Sequence, residues 1–271
     1  MNIDINDLTI TSIETITAFD VVTGDFRFML DELQSATLTQ SQEKTEITGK
    51  QGRKLNSLKR NKALKVSGTN GLVSAGLLEL QTGSKFARKD AIVKWTDYLT
   101  VASDKATTTF KAIGTAGNEI DTVYVKNANG TLGEKYQQAA VAEAGKFAYD
   151  PATKEITFNA GDIADGTEIC VFYDRKINAS VHENMSDKYS EKAMLYIDAF
   201  GEDTCANVYR VQICFPKADF EGNFDLQMGD NQAVHAFEAE SLAGSVCNSS
   251  AGTSGMLWTY TVFGANEGDA A

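Results

Sequence analysis

Hydrophobic and polar residues alternate with a period of two along several stretches of this chain, and no other feature constrains its fold as strongly. The alternation is clearest in residues 26–30, 208–215, 224–228 and 256–263. Its apolar positions are Phe26, Phe28 and Leu30; Tyr209, Val211, Ile213 and Phe215; Phe224, Leu226 and Met228; and Met256, Trp258, Tyr260 and Val262. Because successive side chains of a β-strand point to opposite faces of the sheet, this pattern predicts strands with one face on a core. We therefore predict a mainly β protein.

One segment departs from this alternation and has helical spacing instead. Residues 72–81 place their apolar side chains on one stripe of a helix, at Leu72, Val73, Gly76, Leu77 and Leu80. Asn70 lies in the expected N-cap region, and Gly83 lies where such a helix would end. The sequence predicts one short amphipathic helix packed on the sheet.

The middle of the chain, 107–175, has the pattern of a small module of its own. Its short β-type runs contain Val123, Val125, Ile156, Phe158, Ile169, Val171 and Tyr173. Turn-forming residues separate these runs at 127–130 and 150–154. We predict an immunoglobulin-like β-sandwich here, as a module between 1–106 and 176–271.

Charge is distributed unevenly along a chain whose net charge is −12. Residues 44–65 contain eight basic side chains and one acid, Glu46, a net charge of +7, so the rest of the chain carries −19. With Gly49 and Gly52 inside it, the segment is interpreted as a loop between strands near 36–41 and 63–66, poorly ordered in a free subunit.

Three interpretations of this basic segment are open: a solvated loop, a contact with nucleic acid, and a contact with an acidic surface of a second copy. An acidic chain is a poor non-specific binder of nucleic acid, because such binding needs phosphates to be neutralised by Lys and Arg. A basic segment on an acidic body favours head-to-tail self-association.

Motifs for catalysis or metal binding are incomplete. His182-Glu183 lacks the second histidine of a zinc-binding H-E-x-x-H helix, and His235 is the only other histidine. Gly252-Thr-Ser-Gly255 is similar to the turn around a serine nucleophile, but a triad would need one of those two histidines as its base. We predict that the protein is not an enzyme and holds no metal or cofactor.

Two weaker patterns concern ligands. Residues 49–52 form a basic GxxG, which KH domains use against a nucleic-acid backbone, but no flanking helices are indicated. Glu238 and Glu240 would lie on one strand face, about 7 Å apart and near the carboxylate spacing of inverting glycosidases. In an acidic chain we interpret them as solvated acids.

Nothing in the chain predicts secretion or membrane insertion. Residues 1–7 have neither the basic nor the apolar region of a signal peptide, and the charge-free stretch 241–266 is too polar for a membrane span. We therefore expect a protein of the cytoplasm, with its cysteines reduced and mostly buried. These are Cys170, Cys205, Cys214 and Cys247, which lack zinc-ribbon spacing.

Several stretches resemble tail structural proteins of long-tailed bacteriophages. The first is Ile47-Thr-Gly-Lys-Gln-Gly-Arg-Lys-Leu-Asn-Ser-Leu-Lys-Arg-Asn-Lys62, followed by 66–72 and a short helix. Residues 215–224, 234–242 and 257–263 are similar to the closing strands of a major tail tube protein. The resemblance covers about 1–106 and 176–271.

The resemblance implies a β-sandwich or barrel with one packed helix, assembled as hexameric rings that stack into a tube. In that family a long loop between early strands reaches the neighbouring ring, and 44–65 occupies the corresponding place. The implied contact residues are Lys50, Arg53, Lys54, Lys59, Arg60 and Lys62.

The implied location is the virion tail, after synthesis in the bacterial host cytoplasm. The implied partners are other copies of the chain and the tape measure, tail terminator and tail tip proteins, with phage DNA as passing cargo and no membrane. Many tube proteins lack an insertion such as 107–175, and this leaves a capsid decoration or surface-adhesion role as the alternative.

Overall fold

A computed structural model describes residues 7–228, 234–243 and 255–264 of the protein. In chain order its elements are β1 (Thr9–Asp20), β2 (Phe26–Leu30), β3 (Leu33–Thr48), β4 (Lys54–Asn70), α1 (Ala75–Thr82), β5 (Phe86–Thr100), β6 (Lys105–Thr107), β7 (Ile120–Lys126), β8 (Leu132–Gln138), β9 (Lys146–Asp150), β10 (Glu155–Phe158), β11 (Glu168–His182), β12 (Lys192–Glu202), β13 (Val208–Phe220), β14 (Leu226–Gln227), β15 (Val234–Ser241) and β16 (Thr259–Gly264). The predicted fold class, mainly β with one short packed helix, is confirmed.

The chain divides into two compact units. Unit 1 comprises Met1–Phe86 and His182–Ala271, and unit 2 comprises Ala87–Val181. The stretch 107–175 lies inside unit 2, which is wider because β5 is hydrogen-bonded to β11 in the same sheet. That a module of this kind is separable from the rest stays a prediction, and the deletion that tests it follows the bounds of unit 2, 87–181.

Unit 1 is built on a nine-stranded sheet in which β2, β1, β12, β13, β15, β4 and β3 follow one another, while β16 pairs with β13 and β14 with β15. Its strands bury one face, as the alternation predicts: Phe28 and Leu30 on β2, and Tyr209, Val211 and Phe215 on β13, are buried. The prediction is wrong for Phe26, which is 60% exposed and lies where the register of β1 and β2 shifts. The strand predicted over 224–228 is largely wrong. β14 has only two residues, and Met228 beyond it is 91% exposed.

Helix α1 packs on this core through Leu77 and Leu80, which are buried. Its N-cap is Ser74, whose hydroxyl accepts a hydrogen bond from the Leu77 N–H at 3.3 Å, so the N-cap predicted near Asn70 is wrong. Leu72 and Val73 precede the helix and are exposed. The predicted stop is confirmed, because Gly83 takes the left-handed conformation, φ 68°, that ends the helix.

Unit 2 has a core of its own on a seven-stranded sheet ordered β5-β11-β7-β8-β9-β10-β6. The apolar residues singled out in the sequence supply much of it, since Val123, Ile156, Phe158, Val171 and Tyr173 are all buried. One pair, β8 with β9, is parallel, and the other pairs described in this sheet are antiparallel.

Three of the four cysteines lie in the described residues, and all three are free thiols. Cys170 is buried and Cys214 half-buried, but Cys205 is exposed, which corrects the expectation for that residue. Cys247 and Thr253-Ser254 lie outside the described residues.

The main correction concerns the basic segment. Residues 44–65 are not a loop: β3 and β4 pair along their whole length, from Leu33 opposite Asn70 to Thr48 opposite Lys54. Only the short 3-10 turn Lys50–Gly52 joins them. The segment is therefore the outer part of a β-hairpin, and its poor order in a free subunit stays a prediction.

Candidate assembly interface

The outer part of the β3–β4 hairpin, residues 39–62, is named the arm. All of its residues are exposed except Gly49 and Ser57, which are half-buried, whereas Leu64 and Val66 closer to the sheet are fully buried. The arm carries seven basic and two acidic side chains, a net charge of +5. Each of its strands contributes about ten residues, which at about 3.3 Å per residue gives a ribbon about 30 Å long.

The tip of the arm is closed by backbone hydrogen bonds. The Gly49 N–H donates to the Arg53 carbonyl at 2.7 Å, and the Gly52 N–H donates to the Gly49 carbonyl at 3.2 Å. Gln51 and Gly52 both have positive φ, 61° and 74°, and a glycine takes this conformation without strain. The GxxG of the sequence is thus the turn of a hairpin, without the flanking helices of a KH domain.

The cations of the arm are only partly neutralised within the chain. The Glu46 carboxylate forms ion pairs with Lys44 Nζ at 3.2 Å and with Lys54 Nζ at 2.7 Å. Lys44 lies directly opposite Lys59, a like-charge cross-strand pair that destabilises a hairpin. Among the described residues, no carboxylate forms an ion pair with five of the six predicted contact residues, namely Lys50, Arg53, Lys59, Arg60 and Lys62.

The arm also exposes aliphatic side chains, which the sequence analysis did not single out. Ile47 and Leu58 are 40% and 39% exposed. Leu58 lies opposite Thr45 and Ile47 lies opposite Asn56, so the two aliphatic side chains are diagonal neighbours on one face. Arg60, two residues beyond Leu58 on the same strand, shares that face. The available signal was an aliphatic residue before and after the basic tip residues Lys50, Arg53 and Lys54.

Leu55 packs over one glycine of the tip. It is 66% exposed, and its side chain covers Gly49 so closely that a Cβ there would lie 2.7 Å from the Leu55 Cδ1. The tip therefore presents a third aliphatic side chain beside Lys50 and Arg53. A two-stranded ribbon without a core is marginally stable in water, so the arm is an element that gains from a partner.

The alternative sites considered from the sequence have structural partners instead. Lys65 lies 2.7 Å from Glu238 and 2.9 Å from Glu221, and these hydrogen bonds raise the pKa of Lys65. Glu238 is therefore held in an ion pair. It lines an open groove of about 700 Å³, whose other polar walls are mainly Ser and Thr hydroxyls.

Both histidines are likewise engaged in unit 1. His182 Nε2 lies 3.2 Å from the Thr82 hydroxyl, and its ring packs on Phe86. His235 is completely buried and bonds to Gln81 and Ser74. Across residues 7–228, 234–243 and 255–264, no three His, Cys, Asp or Glu side chains are grouped closely enough to hold a metal ion. In the same residues no helix is long and apolar enough to span a membrane.

These features define the class of the protein: a β-rich chain whose described part presents an exposed, basic and partly aliphatic hairpin. Residues 8–256 match the model of the YomU/Tube protein family, and the chain belongs to this family. At that level the chain is a phage tube-like protein and a virion component, in agreement with the resemblance to tail proteins. A search of the curated proteins finds no match.

Proposed function

We propose that the protein assembles into hexameric rings that stack into the tube of a phage tail, the conduit through which DNA leaves the virion. One observation carries this proposal: a coreless arm with a charge of +5 extends from a chain that otherwise carries −17. Its family supports the same function.

The arm is the proposed contact between rings. Five of its cations form no ion pair with a carboxylate of the described residues and gain from carboxylates of a partner, and its exposed aliphatic side chains gain from a surface that covers them. Both requirements are met when the arm lies on the acidic body of another copy, and charge complementarity of this kind sets the register of the contact. Tape measure, tail terminator and tail tip proteins are the further partners proposed, and no enzymatic activity is part of the proposal.

The test compares two variants with the same change of charge. The arm variant is Arg53→Glu, Lys59→Glu, Arg60→Glu and Lys62→Glu. The control variant reverses four exposed lysines outside the arm that form no ion pair among the described residues: Lys85→Glu, Lys111→Glu, Lys135→Glu and Lys188→Glu. Assembly is measured by light scattering and negative-stain microscopy.

We expect the parent and the control to form stacked rings and the arm variant to remain folded but unstacked. Stacking of the parent should weaken as salt is raised, because the Debye length falls from about 10 Å at 0.1 M to about 3 Å at 1 M. Normal tubes from the arm variant would overturn the proposal. Normal stacking with loss of DNA binding would support the nucleic-acid interpretation instead.

The alternative function is capsid decoration or surface adhesion. The observation that favours it is unit 2, which has its own core and sheet and can present a surface independently of any tube. Micrographs distinguish the two functions, because rings and tubes of the isolated chain belong only to the first.

A further inference from the structure

Unit 1 has a second exposed apolar surface, on the solvent side of its sheet. An open groove of about 420 Å³ runs over β1 and β12, and is named the outer groove. It is lined by Thr17, Phe19, Gly24, Met194, Tyr196, Asp198 and Gln212. The cross-strand pairs Phe19–Met194 and Thr17–Tyr196 place these side chains in adjacent rows.

Strand β2 extends the same surface. Phe26 is 60% exposed and packs edge-on against Phe19, with ring centroids 6.2 Å apart. Met29, 50% exposed, lies opposite Thr17 in the row that also contains Tyr196. Exposed aromatic and methionine side chains grouped in this way are typical of a protein contact surface.

One carboxylate lines the outer groove, and a second lies beside it. Asp198 lies among its lining residues and accepts a hydrogen bond from Gln212 Nε2 at 2.9 Å. Asp25 follows Gly24 in the exposed β1–β2 turn. In the described part of the chain neither Asp198 nor Asp25 forms an ion pair, while Asp20 nearby is paired with Arg27 at 3.1 Å.

The arm has the complementary chemistry. Its face with Ile47 and Leu58 supplies aliphatic side chains for an aromatic groove. Arg60 on that face lies opposite Glu43 but forms no ion pair with any carboxylate of the described residues.

We propose that the outer groove of one copy receives the arm of a second copy, with Ile47 and Leu58 against Phe26, Met29 and Tyr196, and Arg60 near Asp198. This inference rests on the assembly proposed above and names its receiving surface. Arm and groove are different patches of one chain, so the contact is heterologous and propagates head to tail.

The experiment uses two full-length variants that each lose one side of the contact. The arm-face variant is Leu58→Asp with Arg60→Glu, and the groove variant is Phe26→Lys with Met29→Lys. The control is Met185→Lys with Tyr189→Lys, which changes two side chains that are 52% and 78% exposed outside the groove. Particle masses are measured by mass photometry, alone and in 1:1 mixtures, after circular dichroism has confirmed folding.

Each variant alone should keep the mass of its unstacked particle, and the control should assemble like the parent. A mixture of the two variants should form complexes of two particles and stop there, because only one intact arm–groove pair can form between them. A groove variant that stacks normally would overturn this inference and leave the proposed function standing. If neither variant changes stacking, the inference and the proposed function both fail.

A milder variant keeps the test decisive if Phe26→Lys with Met29→Lys does not fold. Asp198→Asn removes the charge while keeping a side chain that can still bond to Gln212. We expect it to weaken stacking about tenfold at low salt, the usual size for loss of one interfacial charge pair. Unchanged stacking of Asp198→Asn would contradict the part assigned to that carboxylate.

Discussion

At the scale of single residues, unit 2 depends on one buried carboxylate. Asp97, 6% exposed, accepts hydrogen bonds from Trp95 Nε1 at 2.9 Å, the Thr109 N–H at 2.8 Å and the Tyr173 hydroxyl at 2.8 Å. Burial opposes its ionisation, but these hydrogen bonds hold the pKa of Asp97 below its usual value. Burial is the larger cause, and the hydrogen bond to Asp97 the next, of a raised pKa of Tyr173. The carboxylate thus ties β5 to β11 and to the segment after β6.

Replacing this carboxylate should destabilise unit 2. Asp97→Ala leaves the Tyr173 hydroxyl and the Thr109 N–H without their acceptor, and we expect about 3 kcal/mol less free energy of unfolding. Asp97→Asn, which keeps one acceptor oxygen, should lose less. The chain has two tryptophans, so urea unfolding in a Trp258→Phe background reports on Trp95 alone. Thr96→Ala, on the exposed face of the same strand, is the control, and equal stability of Asp97→Ala would contradict the argument.

His235 gives unit 1 a pH dependence. The Ser74 N–H donates to its Nδ1 at 3.3 Å, so Nδ1 accepts, and the proton lies on Nε2, which bonds to Gln81 Oε1 at 2.8 Å. This arrangement requires a neutral ring, and burial lowers the pKa of His235. The unfolded chain binds the proton at a higher pH than the folded protein does. The stability that the neutral His235 ring contributes is therefore fully present above the unfolded pKa of about 6.5 and is lost as the pH falls below it.

We expect the free energy of unfolding of unit 1 to decrease by about 1 kcal/mol between pH 7 and pH 5.5. His235→Gln should remove this decrease, and His182→Gln should retain it. Carboxylates with lowered pKa, such as Asp97, lose their contribution only below about pH 4, outside this range. Urea unfolding followed by Trp258 fluorescence in a Trp95→Phe background measures the effect, and a pH slope that persists in His235→Gln would exclude His235 as its source.

At the scale of elements, α1 shows how packing overrides helix propensity. Alanine is the better helix former by about 1 kcal/mol, yet Gly76 faces β2 so closely that a Cβ would lie 2.7 Å from the Arg27 carbonyl oxygen and the Phe28 Cβ. The stripe predicted from the sequence includes Gly76 because this position faces the sheet. The absence of a side chain there sets how near the helix approaches the strand.

We therefore expect Gly76→Ala to lower the free energy of unfolding by about 1–3 kcal/mol, the usual cost of overpacking. The matched control is Gly222→Ala, whose Cβ would make only an ordinary contact, 3.5 Å from the Gln81 carbonyl oxygen. Chemical denaturation of both variants decides the matter, and a stabilised Gly76→Ala would show that the helix moves away freely.

At the scale of the whole molecule, unit 1 is built from two distant parts of the chain. The rings of Phe86 and His182, where the chain leaves and re-enters this unit, pack 4.8 Å apart. The core cluster of unit 1 contains residues of unit 1 only, and that of unit 2 contains residues of unit 2 only. The ends of unit 1 are thus close enough to be joined by a short linker.

Replacing 87–181 with a short Gly/Ser linker should leave unit 1 folded, with the urea midpoint of Trp258 fluorescence close to that of the full chain. Deleting only 107–175 should give a less soluble product, because β5 would lose β11 up to Arg175 and the core residues packed near Val101. Ring or tube formation by the longer deletion is then read from micrographs. An insoluble 87–181 deletion would show that unit 1 depends on unit 2.

The sequence by itself determined the features that depend on local periodicity and local backbone geometry. Strands with one buried face, such as β2 and β13, are predicted by alternating apolar residues, because successive side chains of a strand point to opposite faces of the sheet. The end of α1 could be predicted from a glycine after the helical stripe, because Gly83 takes the left-handed conformation that glycine adopts without strain. The grouping of Arg53, Lys59 and Arg60 was also readable, because these residues are close along the chain.

Only the tertiary structure decided the rest. The arm is exposed on both faces, so no alternation marked it as a hairpin, and it is the cross-strand pairing that makes it one. Ile47 and Leu58 share a face because of the register between β3 and β4, including its bulges. A shift of that register by one residue would place the two side chains on opposite faces. The outer groove joins Phe19 to Tyr196, and the Asp97 site joins residues up to 76 positions apart. Contacts between segments so distant in sequence are set by the order and register of strands, which the local pattern of any one strand does not encode.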